Sequence, residues 1–288
     1  MSRKEDPEYR RFLRLYLASN AAKLGLGIVV TFLTIALIVA LGGKSVLPYN
    51  PIEQGVGPVL AAPSLQHLFG TDNLGRDVLS RVVFATPNDL LVSFIVIASS
   101  FAIGIFLGCV AGFWGGIIDE MLMRSTDVIF AVPALILAMS IAVILGPGLI
   151  HMMYALMIIW WPPYARLARG EALRVSQHNF IEAAKTSGIK SLTILRKHII
   201  PNILTPMLAY ATLDIGTVVV VYAGLSYLGL SVQPPNPDWG AMVSAYQDYL
   251  VSSPWLPLFP AAIIAAVVIG FSLLGNGLRD AIESQNTG

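Results

Sequence analysis

Runs without Lys, Arg, Asp or Glu interrupt the chain at lengths that match a bilayer. A helix needs about 20 apolar residues to cross a hydrocarbon core of roughly 30 Å. Leu24–Gly43 supplies one such run, and Leu90–Ile118 a second, best placed at Leu90–Phe113. Val128–Ala165 is long enough for two spans, with the turn signal Gly146-Pro147-Gly148 near its middle. Ile199–Pro237 holds one charged residue, Asp214, and predicts a fifth span near Ile203–Leu228. Tyr249–Leu278 predicts a sixth near Leu256–Gly275. The expected fold is all-α with six transmembrane helices, near 24–43, 90–113, 128–147, 149–165, 203–228 and 256–275. A β-barrel would need alternating segments of about ten residues, and continuous runs such as Val92–Ala102 do not alternate.

Composition supports a membrane protein. The chain is 56% hydrophobic and 12% charged, with a mean hydropathy of +0.72. Soluble domains carry about 25% charged residues, and disorder needs low hydrophobicity with high charge. A net charge of +1 leaves no basic field for nucleic acid. The single cysteine, Cys109, excludes an internal disulfide and a Cys-based metal site.

Lys and Arg set the expected orientation. Residues 1–23 hold six, 114–127 one, 164–203 seven and 276–288 one, fifteen in all. Lys44, Arg76 and Arg81 are the other three. Both termini are therefore expected in the cytoplasm, with loops 44–89 and 229–255 outside. The start of the chain reads as a retained anchor, because some 23 polar and charged residues precede the first apolar run. Tyr9, Phe12, Leu13, Tyr16 and Leu17 fall at helical spacing with Arg10, Arg11 and Arg14 between them, which predicts an amphipathic surface helix in segment 1–23. The outer stretch Leu47–Val59, with Pro48, Pro51 and Pro58, reads as an irregular loop.

A minimal bundle has no use for the long basic loop 166–202. Its grammar is helical: Asn179 and Glu182 form a capping-box pattern, and Gly188 can take the left-handed conformation that stops a helix. Ser191 is expected to cap a second helix, Leu192–Ile200, and Pro201 marks the start of span five. Two turns are too short to be stable alone, so the first helix needs a surface to pack on.

These residues carry a resemblance. Glu182-Ala183-Ala184-x3-Gly188-x9-His198-x-Ile200-Pro201 resembles the E-A-A-x3-G-x9-I-x-L-P loop of ABC importer permeases, with His198 and Ile200 as departures. Arg196-Lys197-His198-Ile199-Ile200-Pro201-Asn202 is similar to the R-H-I-L-P-N ending of the oligopeptide, dipeptide and nickel branch, on its second permease type. Phe69-Gly70-Thr71-Asp72 through Gly75-Arg76-Asp77 to Ser80-Arg81 resembles that branch's F-G-T-D-x-x-G-R-D-x-x-S-R. Leu225-Ser226-Tyr227-Leu228-Gly229-Leu230, Gln233-Pro234-Pro235 and Trp239-Gly240 resemble its L-S-F-L-G-L, Q-P-P and W-G. The likeness covers most of residues 65–280. It implies a type I ABC importer permease core over 90–276, followed by a cytoplasmic tail, 277–288, in the cell membrane. It further implies four kinds of neighbour: a second permease, two cytoplasmic ATPases, an extracytoplasmic substrate-binding protein and the lipid bilayer. The loop helix would sit in an ATPase groove, with Glu182 as its polar contact, Ala183 and Ala184 as its close-packing face and Gly188 as its stop. The cargo it implies is di- or oligopeptides, with oligosaccharides or nickel as alternatives. A six-span carrier or channel would leave the long loop unexplained.

The chain offers no catalysis of its own. Gly43-Lys44-Ser45 resembles the end of a phosphate loop, but Ile38 stands where the pattern needs its first Gly. His67, His151, His178 and His198 show no metal-ligand spacing, and no cofactor is expected. Gly104, Gly108, Gly112 and Gly116 repeat every four residues and predict close helix packing, against this chain or the partner permease. Asp214 inside a span either lines the pathway or bonds to a neighbouring helix. Tyr222 is a second pathway candidate, at a position where relatives of the branch carry Glu. Pro133, Pro162 and Pro163 can kink helices, and Trp160 and Trp161 suit a membrane interface.

Overall fold

The computed structural model describes residues 14–286. The residues of the expected surface helix that precede Arg14 lie outside them. Tyr16 is buried against Ala22 and Ala281, its hydroxyl donating to the Ala22 carbonyl at 3.1 Å. Helix α1 (Asn20–Gly42) begins where the Ser19 hydroxyl accepts from the Ala22 N–H.

Helix α2 (Val78–Trp114) starts well before the expected span at 90. Asp77 caps it, its Oδ2 accepting from the Ser80 N–H at 2.8 Å and the Ser80 hydroxyl at 2.7 Å. The helix continues through Pro87 and carries Arg81 and Asp89 buried inside the fold. Charge-free runs leave out such residues, so the loop before α2 ends at Asp77 and not at 89.

The third expected span, 128–147, is broken. Helix α3 (Gly116–Phe130) and helix α4 (Ala134–Leu145) meet at 85°. Pro133 lacks an N–H and disfavours helical backbone at the residue before it, which places the break at 131–133. Arg166 and Arg169 tie α3 down: Arg169 Nη2 donates to Asp119 Oδ2 at 2.6 Å, and Arg166 pairs with Asp127. The Gly146-Pro147-Gly148 turn then leads into helix α5 (Leu149–Ser176), which passes through Pro162 and Pro163 without ending. Its charged residues occupy its second half.

Helix α6 (Asn179–Thr186), helix α7 (Ser191–Ile194) and a π-helical turn, Leu195–Ile199, form the long loop. Helix α8 (Ile200–Tyr227) follows, with Pro201 in its first turn, where a missing N–H costs nothing. Helix α9 (Trp239–Tyr246) lies within the loop between α8 and the last helix. Helix α10 (Trp255–Asn286) runs far beyond 275, so most of the expected tail is helical. Among the described residues, α1, α2, α8 with its preceding turns, and α10 can each cross a membrane by length and apolarity, and the bent pair makes up to five. The six expected spans thus meet four single helices, one bent pair and the mixed helix α5.

The glycine stripe packs within this chain. A Cβ on Gly104 would overlap Tyr164, one on Gly108 the Ala165 carbonyl, and one on Gly112 would lie 2.7 Å from the Arg169 carbonyl, all on α5. Gly116 is not part of this seam; it lies past the end of α2 at φ +59° with open space around it. Trp160 is buried rather than interfacial, because its ring nitrogen is engaged inside the bundle.

Contacts divide the turns between two ends. The Gly148 N–H donates to the Leu230 carbonyl, and Phe69 stacks on Phe259 at 4.0 Å, so loops 43–77, 146–148 and 228–254 share one end. Lys185 lies over the Phe113 ring at 5.4 Å, which places the α6 loop at the other, with the end of α2.

Candidate functional site

The two-turn helix α6 is anchored on one face and open on the other. Ile181 and Ala184, three apart, are buried, whereas Phe180, Glu182 and Ala183 are exposed. At about 100° per residue, Ala183 and Ala184 cannot share a face, so Ala184 packs on this chain and Ala183 faces outward. The capping box is not formed. His178 is the N-cap, in extended backbone and without a side-chain cap bond, and Asn179 is already helical. Ser191 is likewise inside its helix, with Lys190 as N-cap. The exit follows the expectation. Gly188 sits at φ +75°, its N–H donates to the Lys185 carbonyl at 3.0 Å, and the Ile189 N–H donates to the Ala184 carbonyl at 3.1 Å. These two bonds are the Schellman pattern. Phe180, 46% exposed, lies between the rings of His178 and His198, at 5.6 and 6.3 Å between centroids. His198 thus touches the helix it follows by a whole loop, a contact its spacing does not announce. Pro201 is exposed at the start of α8.

Asp214 joins α8 to α5. Its Oδ2 accepts from the Trp160 indole N–H at 2.7 Å and from the Tyr164 hydroxyl at 3.1 Å. A carboxylate in a bundle needs such donors. Tyr210, one turn away, and the adjacent Leu213 line a cavity of about 940 Å³ between α5, α8 and α10. Arg174, paired with Glu171, and Arg279, paired with Glu283, stand around it.

Tyr222 is engaged inside the fold. It is 1% exposed, its hydroxyl donates to Asp238 Oδ2 at 2.5 Å and lies 2.7 Å from the Ser231 hydroxyl. This belongs to a polar cluster at the end opposite α6. Asp89 Oδ2 accepts from the Trp239 backbone N–H at 3.0 Å. Asp72 accepts from the Leu74 and Arg76 N–H groups on one oxygen, and from Arg76 Nε (2.6 Å) and the Tyr246 hydroxyl (2.9 Å) on the other. Burial pushes the Tyr246 phenol above its ordinary pKa, so it remains a donor. His67 Nδ1 lies 2.9 Å from Asp77 Oδ1. The motif at 69–81 and the one at 225–240 thus build one structure. Neither motif signals the pairing or the roles of Asp89, Asp238 and Tyr246, whose partners lie elsewhere in the sequence.

Long apolar helices, a bent pair and a half-exposed two-turn helix at one end fit a polytopic membrane protein. Residues 104–287 match the family described as binding-protein-dependent transport system inner membrane component. The dipeptide transport system permease protein DppC of Alkalihalophilus pseudofirmus is 38% identical over 266 residues, covering 92% of this chain and 86% of that protein. The probable D,D-dipeptide transport system permease protein DdpC of Escherichia coli K12 is 40% identical over 229 residues, 80% and 77% of the two chains. The glutathione transport system permease protein GsiD of Escherichia coli O157:H7 is 37% identical over 280 residues, 97% and 90%. A chain of the inward-facing MetNI methionine ABC transporter shares the fold, with a TM-score of 0.58 at 20% identity over 70% of this chain and 97% of that one. The chain belongs to the binding-protein-dependent transport system inner membrane component family, and is a multi-pass permease subunit of the ABC importer type.

Proposed function

We propose that this chain is one of two permeases in an ATP-driven importer of di- and oligopeptides. Relatives matched over most of their length carry dipeptide and glutathione transport names, and these cargoes share a short peptide backbone with free charged ends. ATP hydrolysis resides on two cytoplasmic subunits, cargo arrives on an outer binding protein, and both termini face the cytoplasm. The observation that carries the coupling role is α6, held by Ile181 and Ala184 while presenting Phe180, Glu182 and Ala183. A helix of two turns keeps its shape only when fixed at both ends, and the Gly188 stop and the buried face supply that fixation. Closure of the ATPases then moves α6 as a rigid handle on α5 and α8. His198 backs Phe180, and Pro201 begins the lever that α8 provides. Asp214 holds the α5–α8 wall of the cavity at that end.

The test is reconstitution with the ATPases and binding protein in vesicles. ATP-dependent accumulation of labelled dialanine supports the reading. Accumulation of nickel or an oligosaccharide in its place overturns the cargo, and uptake without ATPases overturns the machinery.

A further inference from the structure

Beneath the rim formed by Pro234, Asn236 and Ala245 lies a small pocket of about 100 Å³, at the end opposite α6. Arg76 and Arg81 line it, together with Asp238 and Tyr246. Two guanidinium groups bring ten N–H donors, and one of them, Arg81 Nε, is buried without a hydrogen-bond partner. Arg81, 5% exposed, donates through Nη1 to the Pro51 carbonyl at 2.7 Å and more weakly to Pro235 at 3.4 Å. It also interacts with the Tyr246 side chain, and its Nε is buried without a hydrogen-bond partner, in an ion pair with Asp72 Oδ2 that is stretched to 3.9 Å. Both neighbouring carboxylates are already full. A carboxylate offers about four acceptor sites. Those of Asp72 serve Leu74 N–H, Arg76 N–H, Arg76 Nε and the Tyr246 hydroxyl. Those of Asp238 serve the hydroxyls of Tyr222, Ser226 and Ser231 and the Ala241 N–H. A buried donor met only by a stretched ion pair forgoes a hydrogen bond, and a planar two-oxygen acceptor matches the guanidinium fork.

We infer that the Arg76–Arg81 pocket receives one carboxylate group from a ligand arriving at the outer face. Its size sets the limit. Liquid water occupies roughly 30 Å³ per molecule, so the pocket takes an acid group and its neighbouring carbon but not a whole dipeptide. The group comes either from the free C-terminus of the cargo or from an acidic side chain of the protein that delivers it. The inference rests on the importer reading for its choice of outer face and of ligand.

The experiment uses the complete transporter, with ATPases and binding protein, in nanodiscs and vesicles. Ala245→Glu brings an acid to the rim, where it occupies the pocket from within; Ala245→Gln is the neutral control of the same size. Ala245→Glu should raise the melting temperature above that of Ala245→Gln and lower uptake at least about tenfold further, the scale of a lost charge-assisted hydrogen bond. Equal behaviour of the two variants overturns the inference. The source follows from dialanine against dialanine amide. If the cargo supplies the acid, the parent favours the free acid and Arg76→Gln erases the preference. If the delivering protein supplies it, that preference is unchanged, and its docking weakens about tenfold in Ala245→Glu relative to Ala245→Gln. A parent that accumulates neither peptide fails the peptide-importer reading instead, and the melting comparison of the two Ala245 variants still decides the pocket.

Discussion

The indole N–H of Trp239 donates to the main-chain carbonyl of Val82 at 2.9 Å, across 157 positions of the sequence. The backbone N–H of the same residue meets Asp89, one helical face along α2, and the edge of Phe32 from α1 packs on its ring at 6.3 Å. Trp239 therefore clamps α9 onto two membrane helices at once. Trp239→Phe keeps most of the packing and loses one bond, at a cost of about 1 kcal/mol. Trp239→Ala should cost about 3–5 kcal/mol. Thermal denaturation of the purified complex in detergent checks the order; equal effects would show that the ring packing adds nothing to the indole bond, and a Trp239→Phe that melts like the parent would show that the bond carries nothing.

The α2–α5 seam makes a contrast between glycines. Gly108→Ala forces a Cβ into the Ala165 carbonyl and the Ala168 methyl and should destabilise the subunit. Gly170→Ala, in the same region of α5 but with open space around it, should be neutral or stabilise by up to about 1 kcal/mol. Melting of both variants tests the difference, and a stable Gly108→Ala would mean that the helices part freely.

Gly188 tests coupling. At φ +75°, a β-branched residue is strained by about 1 kcal/mol or more, whereas Asn tolerates the left-handed region. Gly188→Val should insert normally but co-purify less ATPase and transport less, with Gly188→Asn close to the parent. Transport by Gly188→Val at the parental rate would remove the loop from the coupling mechanism.

Orientation is open to labelling in a Cys109→Ala background. Leu65 is 98% exposed at one end and Lys185 is exposed at the other. Leu65→Cys should react with an impermeant maleimide added outside intact cells, and Lys185→Cys only after permeabilisation. Gly75, although in the same loop, is buried at φ +69° and makes a poor probe. The reverse pattern would invert the topology.

Asp214 separates structure from pathway. Asp214→Asn retains an oxygen for Trp160 and Tyr164, and should transport like the parent. Asp214→Leu leaves both buried donors without their acceptor, which costs about 1–3 kcal/mol. If Asp214→Asn melts like the parent but fails to transport peptides, the carboxylate acts on cargo and not on the helix pair.

What the sequence determined by itself was local. Apolar run length located α1, α8 and α10, because crossing a bilayer requires a certain number of apolar residues whatever their neighbours. The conformational need for glycine placed the stop at Gly188, and the backbone there obeys it. Tertiary structure decided wherever polar groups find distant partners. Arg81 and Asp89 marked a loop by their charge, yet they lie in α2 because Pro51 and Trp239 answer them from elsewhere in the chain. Tyr222 reads as a pathway candidate and is a buried donor, since Asp238 comes to it from the loop between α8 and α10. Asn179 had the right neighbours for a cap and still became the first helical residue, because burial of Ile181 and Ala184 set the register of α6. Local pattern reports what a residue prefers, and burial with a partner alters that preference by more than the pattern can express.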